Sequence, residues 1–131
     1  MVTIVNAEGA VLDGFSITNG RVCDIGGGIF CSSATITNCI ISGNSATFAG
    51  GGVYCDYGSL SITNCTISDN SAAYGGGILH FSSSTYATVK NSIVWENSAP
   101  DGSEIYFASI DSDSSAIYDF ISVTWSDVKG G

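Results

Sequence analysis

Positive charge is what this chain has least of. Three Lys and Arg residues stand against twelve Asp and Glu, a formal charge of −9 over 131 residues. That balance repels phosphate backbones and anionic lipid headgroups over a Debye length of roughly 8–10 Å, which argues against nucleic acid and membrane surfaces as partners. Charged residues amount to only 11% and proline occurs once, while 44% of the chain is hydrophobic. A disordered chain has the opposite bias, because it lacks the apolar surface to offset the entropy of ordering. No run of about 18 apolar residues is present, so no helical membrane span and no membrane insertion are expected. The opening Met1-Val2-Thr3-Ile4 lacks the basic start and apolar stretch of a secretory signal. Export is therefore expected to be absent, or the chain to begin after its signal, and the compartment is left open. Cysteine occurs in an odd number, five, which excludes a framework in which every thiol is paired.

What the chain does have is a repeat. Thr35-Ile36-Thr37-Asn38-Cys39-Ile40-Ile41-Ser42-Gly43-Asn44-Ser45-Ala46 returns 26 positions later as Ser61-Ile62-Thr63-Asn64-Cys65-Thr66-Ile67-Ser68-Asp69-Asn70-Ser71-Ala72. A decayed third copy runs from Thr88 to Ala99 after a shift of 27. Each copy is coupled to a glycine block: Gly26-Gly27-Gly28-Ile29-Phe30-Cys31, Gly50-Gly51-Gly52-Val53-Tyr54-Cys55, Gly75-Gly76-Gly77-Ile78-Leu79-His80 and Gly102-Ser103-Glu104-Ile105-Tyr106-Phe107. Self-similarity at this period is the signature of a solenoid. Apolar residues alternate with Ser and Thr at period two, and β-branched residues dominate, so the repeat unit is built of strands.

In register, three columns point inward: Leu12, Ile36, Ile62, Val89, Val123; Phe15, Cys39, Cys65, Ser92, Ser126; and Ile17, Ile41, Ile67, Val94, Val128. Parallel strands stacked about 4.8 Å apart would make these ladders of like on like, and about five coils give a core near 24 Å long. The expected organisation is one domain over 1–131, with repeats near 12–34, 36–60, 62–87 and 89–122 and a partial last coil at 123–131. Asn38, Asn64 and Asn91 fall at one turn, and Asn44, Asn70 and Asn97 at the next; asparagine tolerates left-handed backbone and its amide can bond its neighbour above and below. Asn64-Cys65-Thr66 also fits the glycosylation pattern, but an amide held in a ladder is already occupied.

The glycine blocks alternating with Ile-Thr-Asn-Cys-x-Ile-Ser-x-Asn-Ser-Ala resemble right-handed parallel β-helix repeat proteins of the pectin-lyase-like superfamily, over nearly the whole chain. Leu12-Asp13-Gly14-Phe15-Ser16-Ile17-Thr18-Asn19-Gly20 and Trp125-Ser126-Asp127-Val128-Lys129-Gly130-Gly131 resemble phrases in long bacterial surface proteins, including polymorphic outer-membrane-protein-like chains. The resemblance implies an all-β, right-handed parallel β-helix and a surface or extracellular parent. It implies no single activity, because the superfamily holds lyases, hydrolases, adhesins and unassigned modules.

Candidate chemistry is sparse. Cys31, Cys55 and His80 share a column, but three side chains in line at about 4.8 Å steps do not converge on a tetrahedral zinc. No metal, cofactor or catalytic residue is expected, and the column cysteines should be reduced core residues, with Cys23, outside it, the reactive thiol. Asp69 and Glu96 occupy equivalent positions on neighbouring coils and are the one carboxylate pair suited to hydrolysis, although Gly43 takes the place one coil earlier. Asp111 and Asp113 alternate with Ser in a polar stretch that could bind calcium. A lyase would need basic residues near such carboxylates, and Arg21, Lys90 and Lys129 are scattered. The threonine rows that order ice decay from Thr35 and Thr37 to Thr88 and Lys90. The strongest candidate surface is the outward column Phe30, Tyr54, Leu79, Tyr106, a stripe larger than a monomer commonly leaves in water. Three fates are open to it: coverage by Ala108–Phe120, self-association, or stacking on sugar rings. Neither terminus offers an amphipathic cap, so a homo-oligomer through the stripe or the solenoid ends is expected, with carbohydrate as the other partner. The expected function is a non-catalytic structural or binding module of a surface-type β-helix protein; the alternative is a carbohydrate-active enzyme, a polysaccharide lyase or hydrolase, or a fragment of one.

Overall fold

Alternating apolar and hydroxyl residues, interrupted by asparagine and glycine turns, coil the chain into a parallel β-solenoid. A computed structural model describes residues 1–4, 9–82, 85–108, 121–124 and 126–128. Three five-stranded sheets run along the coil. The first stacks Val2–Ile4, Ile29–Cys31, Val53–Asp56, Ile78–Phe81 and Ile105–Ala108. The second stacks Val11–Asp13, Ala34–Thr37, Leu60–Thr63, Ala87–Lys90 and Ile121–Thr124. The third stacks Ser16–Thr18, Ile40–Ser42, Thr66–Ser68, Ile93–Trp95 and Asp127–Val128. Every pairing is parallel, and the chain makes about four full turns between the first and fifth level of a sheet.

The register sets like on like. Leu12, Ile36, Ile62, Val89 and Val123 are direct partners in the second sheet, and Ile17, Ile41, Ile67, Val94 and Val128 in the third. Ile36, Ile41, Ile62, Ile67 and Val94 are fully buried, each stabilising the coil by about 1.5–3 kcal/mol relative to leaving it in water. Cys39, Cys65 and Ser92 are buried in the expected middle column. Phe15, expected inward with them, is instead 56% exposed. The column takes only a small side chain: Cys39 Sγ sits 3.1 Å from the Thr37 carbonyl and 3.5 Å from that of Leu12, and a phenyl ring does not fit among them. Val123 is 43% exposed, with no strand stacked beyond it among the described residues.

The two sets of asparagines do different work. Asn38, Asn64 and Asn91 have φ of 53°, 54° and 48° and are exposed at the turn from the second sheet to the third; Asn64 Nδ2 donates to Asn38 Oδ1 at 3.2 Å and Asn38 Nδ2 to Asp13 Oδ1 at 2.8 Å. Asn44, Asn70 and Asn97 are buried. Asn70 Nδ2 donates to the Ile41 carbonyl and to Asn97 Oδ1, both at 2.9 Å, and Asn70 Oδ1 accepts from the backbone N–H and the amide of Asn44, both at 3.0 Å. The ladder is closed at each end. On one side the Gly20 N–H donates to Asn44 Oδ1 at 2.9 Å; on the other, buried Glu104 accepts from Asn97 Nδ2 at 2.6 Å. Glu104 stands level with Gly77, where earlier coils carry the third glycine of the block.

Candidate functional site: an aromatic groove

The glycine blocks build the outer face of the first sheet. Gly26, Gly50, Gly75 and Gly102 have φ between 60° and 69°. A Cβ on any of them would come within 2.6–2.8 Å of the Cβ of Phe30, Tyr54, Leu79 or Tyr106, four residues on. The outward side chain therefore lies back over its own glycine turn. The outward column is thus partly covered by its own coil: Phe30, Tyr54 and Tyr106 are half-buried, and Leu79 is only 3% exposed.

The column is nevertheless the floor of something. Phe48, Ala49 and Tyr74 from the turn on one side, and Phe81 and Ala108 from the same strands on the other, enclose with Tyr54, Leu79 and Tyr106 a groove of about 350 Å³. Its rings interlock: Phe48 and Tyr74 meet edge to face at 5.5 Å, and Tyr74 tilts against Tyr106 at 5.8 Å. Phe30 stacks on Tyr54 at 5.7 Å with 11° between the planes, extending the surface by one coil. Phe81 follows Leu79 by two in one strand, so strand period alone places it on the same face. Phe48 and Tyr74 were hidden because their coils differ by one residue: Ala49, not Phe48, is the bridge partner of Tyr74. Of Ala108–Phe120, whose folding back over the stripe is one of the three fates open to it, residues 109–120 lie outside the described residues, Asp111 and Asp113 among them.

Acidic residues neighbour the walls of the groove, and none is among its described lining residues. The Phe48 N–H donates to the backbone carbonyl of Asp24 at 2.9 Å, Tyr74 bridges Asp101, and Phe81 is in register with Asp56. Each of these three aromatic residues thus has an acid one coil away. Asp56 Oδ1 is buried with no hydrogen-bond partner among the described residues, and burial raises its carboxyl above the ordinary range. The Tyr54 phenol is pushed up to about 12, first by burial, then by the negative charge of Asp56 and Asp24 among its neighbours.

The other candidates do not assemble a site. Asp69 and Glu96 are exposed at left-handed turn positions, φ 56° and 55°, in the column that also holds Asn19 and Gly43. Their place is set by the turn, and neither lines the groove. Cys31, Cys55 and His80 are direct partners in the first sheet and fully buried. The His80 Nε2 is 2.7 Å from the Gly58 carbonyl, its Nδ1 has no hydrogen-bond partner, and Phe107 packs on the ring edge to face at 5.4 Å. A thiol hydrogen bond with Cys31 above all, and then the His80 ring, pulls the Cys55 thiol down to about 6 against its burial, while Cys31 is held far above the ordinary range. Among the described residues no three His, Cys, Asp or Glu are placed to hold a metal ion. All five cysteines are free thiols, with Cys23 exposed and the others buried.

A family model described as "Right handed beta helix region" matches residues 2–118. No curated protein and no solved structure matches the chain.

Proposed function

The chain belongs to the right-handed beta helix family, and from that premise we propose that it is a non-catalytic binding module, of the kind borne by surface-type β-helix proteins, whose working surface is the aromatic groove. One observation carries this reading. Leu79 fills the same place over its glycine turn as Tyr54 and Tyr106 fill over theirs, so the coil needs a Cβ there and not a ring. The rings of Tyr54 and Tyr106, and those of Phe48 and Tyr74 beside them, exceed what folding asks of those positions. They form a concave apolar surface of a size suited to a ligand. Against the enzyme reading, the lining residues among those described include no carboxylate, imidazole or basic group. Hydrolysis needs two placed carboxylates, and proton abstraction needs a base.

Glycan and peptide arrays, run with the full chain and with a Tyr54→Leu/Tyr106→Leu variant, test the proposal. Ligand capture is expected for the parent and should be lost in the variant at an unchanged unfolding midpoint. Cleavage of any offered polysaccharide, or capture indifferent to both substitutions, would overturn it. Light scattering on the same two samples reads self-association through the rings.

A further inference from the structure

We propose that the ligand of this groove is a cationic polypeptide segment, held by lysine or arginine side chains whose alkyl stems lie on the groove floor and whose charged heads meet the rings and the carboxylates at its rim. The proposal rests on the binding-module reading above and adds the chemistry of the partner.

Three features of the groove agree on a positive charge. Its walls carry the rings of Phe48, Tyr74, Phe81 and Tyr106, and ring faces attract ammonium and guanidinium groups through the ring quadrupole. Asp24, Asp56 and Asp101 each stand one coil from a wall residue, so acid flanks the groove at both walls. Neither described basic residue lines the groove: Arg21 pairs with Ser45 in the two-stranded ladder that precedes Asp24 and Phe48, and Lys90 is on the second sheet. Asp56, in register with Phe81, bears on the floor through its charge, which with that of Asp24 adds to burial in raising the Tyr54 phenol.

The shape of the charge carrier follows from the floor. Leu79, Ala49 and Ala108 offer only apolar surface, and the side-chain polar atoms of the lining are the hydroxyls of Tyr54, Tyr74 and Tyr106. A saccharide laid there would leave most of its hydroxyls without partners, at a cost for each group desolvated. A lysine or arginine stem covers such a floor with methylenes while its head remains at the polar edge.

Fluorescence anisotropy of labelled hexalysine with the full chain tests this, with hexaglutamate, a glucosamine hexamer and a neutral glucan as competing probes. Hexalysine should bind, and Tyr74→Leu, which leaves the net charge of the protein untouched, should weaken it about tenfold. Asp56→Asn should weaken it by a similar factor, and hexaglutamate should not compete. Equal hexalysine binding by parent and Tyr74→Leu would mean attraction by bulk charge alone and would overturn the proposal. Preferred binding of the glucosamine hexamer or the glucan, lost in Tyr74→Leu, would overturn the cationic polypeptide while leaving the groove as a binding site. No binding by any probe would remove both.

Discussion

The coils of this protein send one column inward from the turn before the glycine block and one outward from the block itself, and the two behave oppositely. The inward column reads Asn44, Asn70, Asn97, with Gly20 at the level before them closing the ladder through its N–H, and the outward one reads Phe30, Tyr54, Leu79, Tyr106. Inside, a single amide serves four hydrogen bonds at Asn70, in a space that the third glycine of the block leaves open: a Cβ on Gly52 would stand 3.0 Å from Asn70 Nδ2. No other side chain reproduces that set of donors and acceptors in that volume. Outside, the backbone demands only that the side chain rest over a glycine turn, and leucine meets the demand as well as tyrosine. Uniformity thus marks the part of the repeat that the fold determines, and variety marks the part left to function.

Substitutions that break each column separate these roles. The largest effect is expected for Asn70→Ala, which strands the Asn44 backbone N–H in the core and takes one partner each from the Asn44 side-chain amide, the Ile41 carbonyl and Asn97 Oδ1. A loss of about 3–5 kcal/mol in chemical denaturation follows from several buried groups at about 1–3 kcal/mol each, partly relieved by water. Glu104→Ala should cost less, about 1–3 kcal/mol, since it frees mainly Asn97. Glu104→Gln, whose amide oxygen can still accept from Asn97 Nδ2, should recover most of that. A neutral outcome for Glu104→Ala would mean that the ladder does not need its terminal acceptor. On the outward column, Tyr54→Leu should change stability by about 1 kcal/mol or less, the scale of one aromatic contact, while abolishing capture of ligand.

The smallest effect sharpens the electrostatic side of the comparison. Because the folded protein holds the Tyr54 phenol at about 12, the unfolded chain ionises first as pH rises. Between about 10 and 12 the native state retains a proton that the unfolded state has lost, so stability falls with rising pH through that window. Ultraviolet titration should show one late phenol that Tyr54→Phe removes and that Asp24→Asn or Asp56→Asn shifts toward the ordinary value.

The interior was legible in the sequence because a solenoid maps a linear period directly onto contacts. A shift of 26 or 27 residues is one coil, so Ile36, Ile62 and Val89 had to meet. Phe15 broke the pattern because the column is defined by volume as well as by spacing, and a phenyl ring does not fit where a thiol does. The groove was only half legible. Its floor follows the period, but Phe48 and Tyr74 converge across a one-residue slip, and Asp24 and Asp101 join the rim through pairings of turn residues outside the sheets. Glu104 takes the place of a block glycine, and its use is visible only in the structure, where the last asparagine of the ladder donates to it.

The central claim, that the aromatic rings over the glycine turns exist to bind and not to fold, is tested most directly by following the tyrosine ring resonances of the intact protein during titration with the best array probe. The account predicts shifts confined to Tyr54, Tyr74 and Tyr106, absent in Tyr54→Leu/Tyr106→Leu at equal stability. Shifts confined to Tyr57 and Tyr86, with the groove tyrosines unmoved, would contradict it.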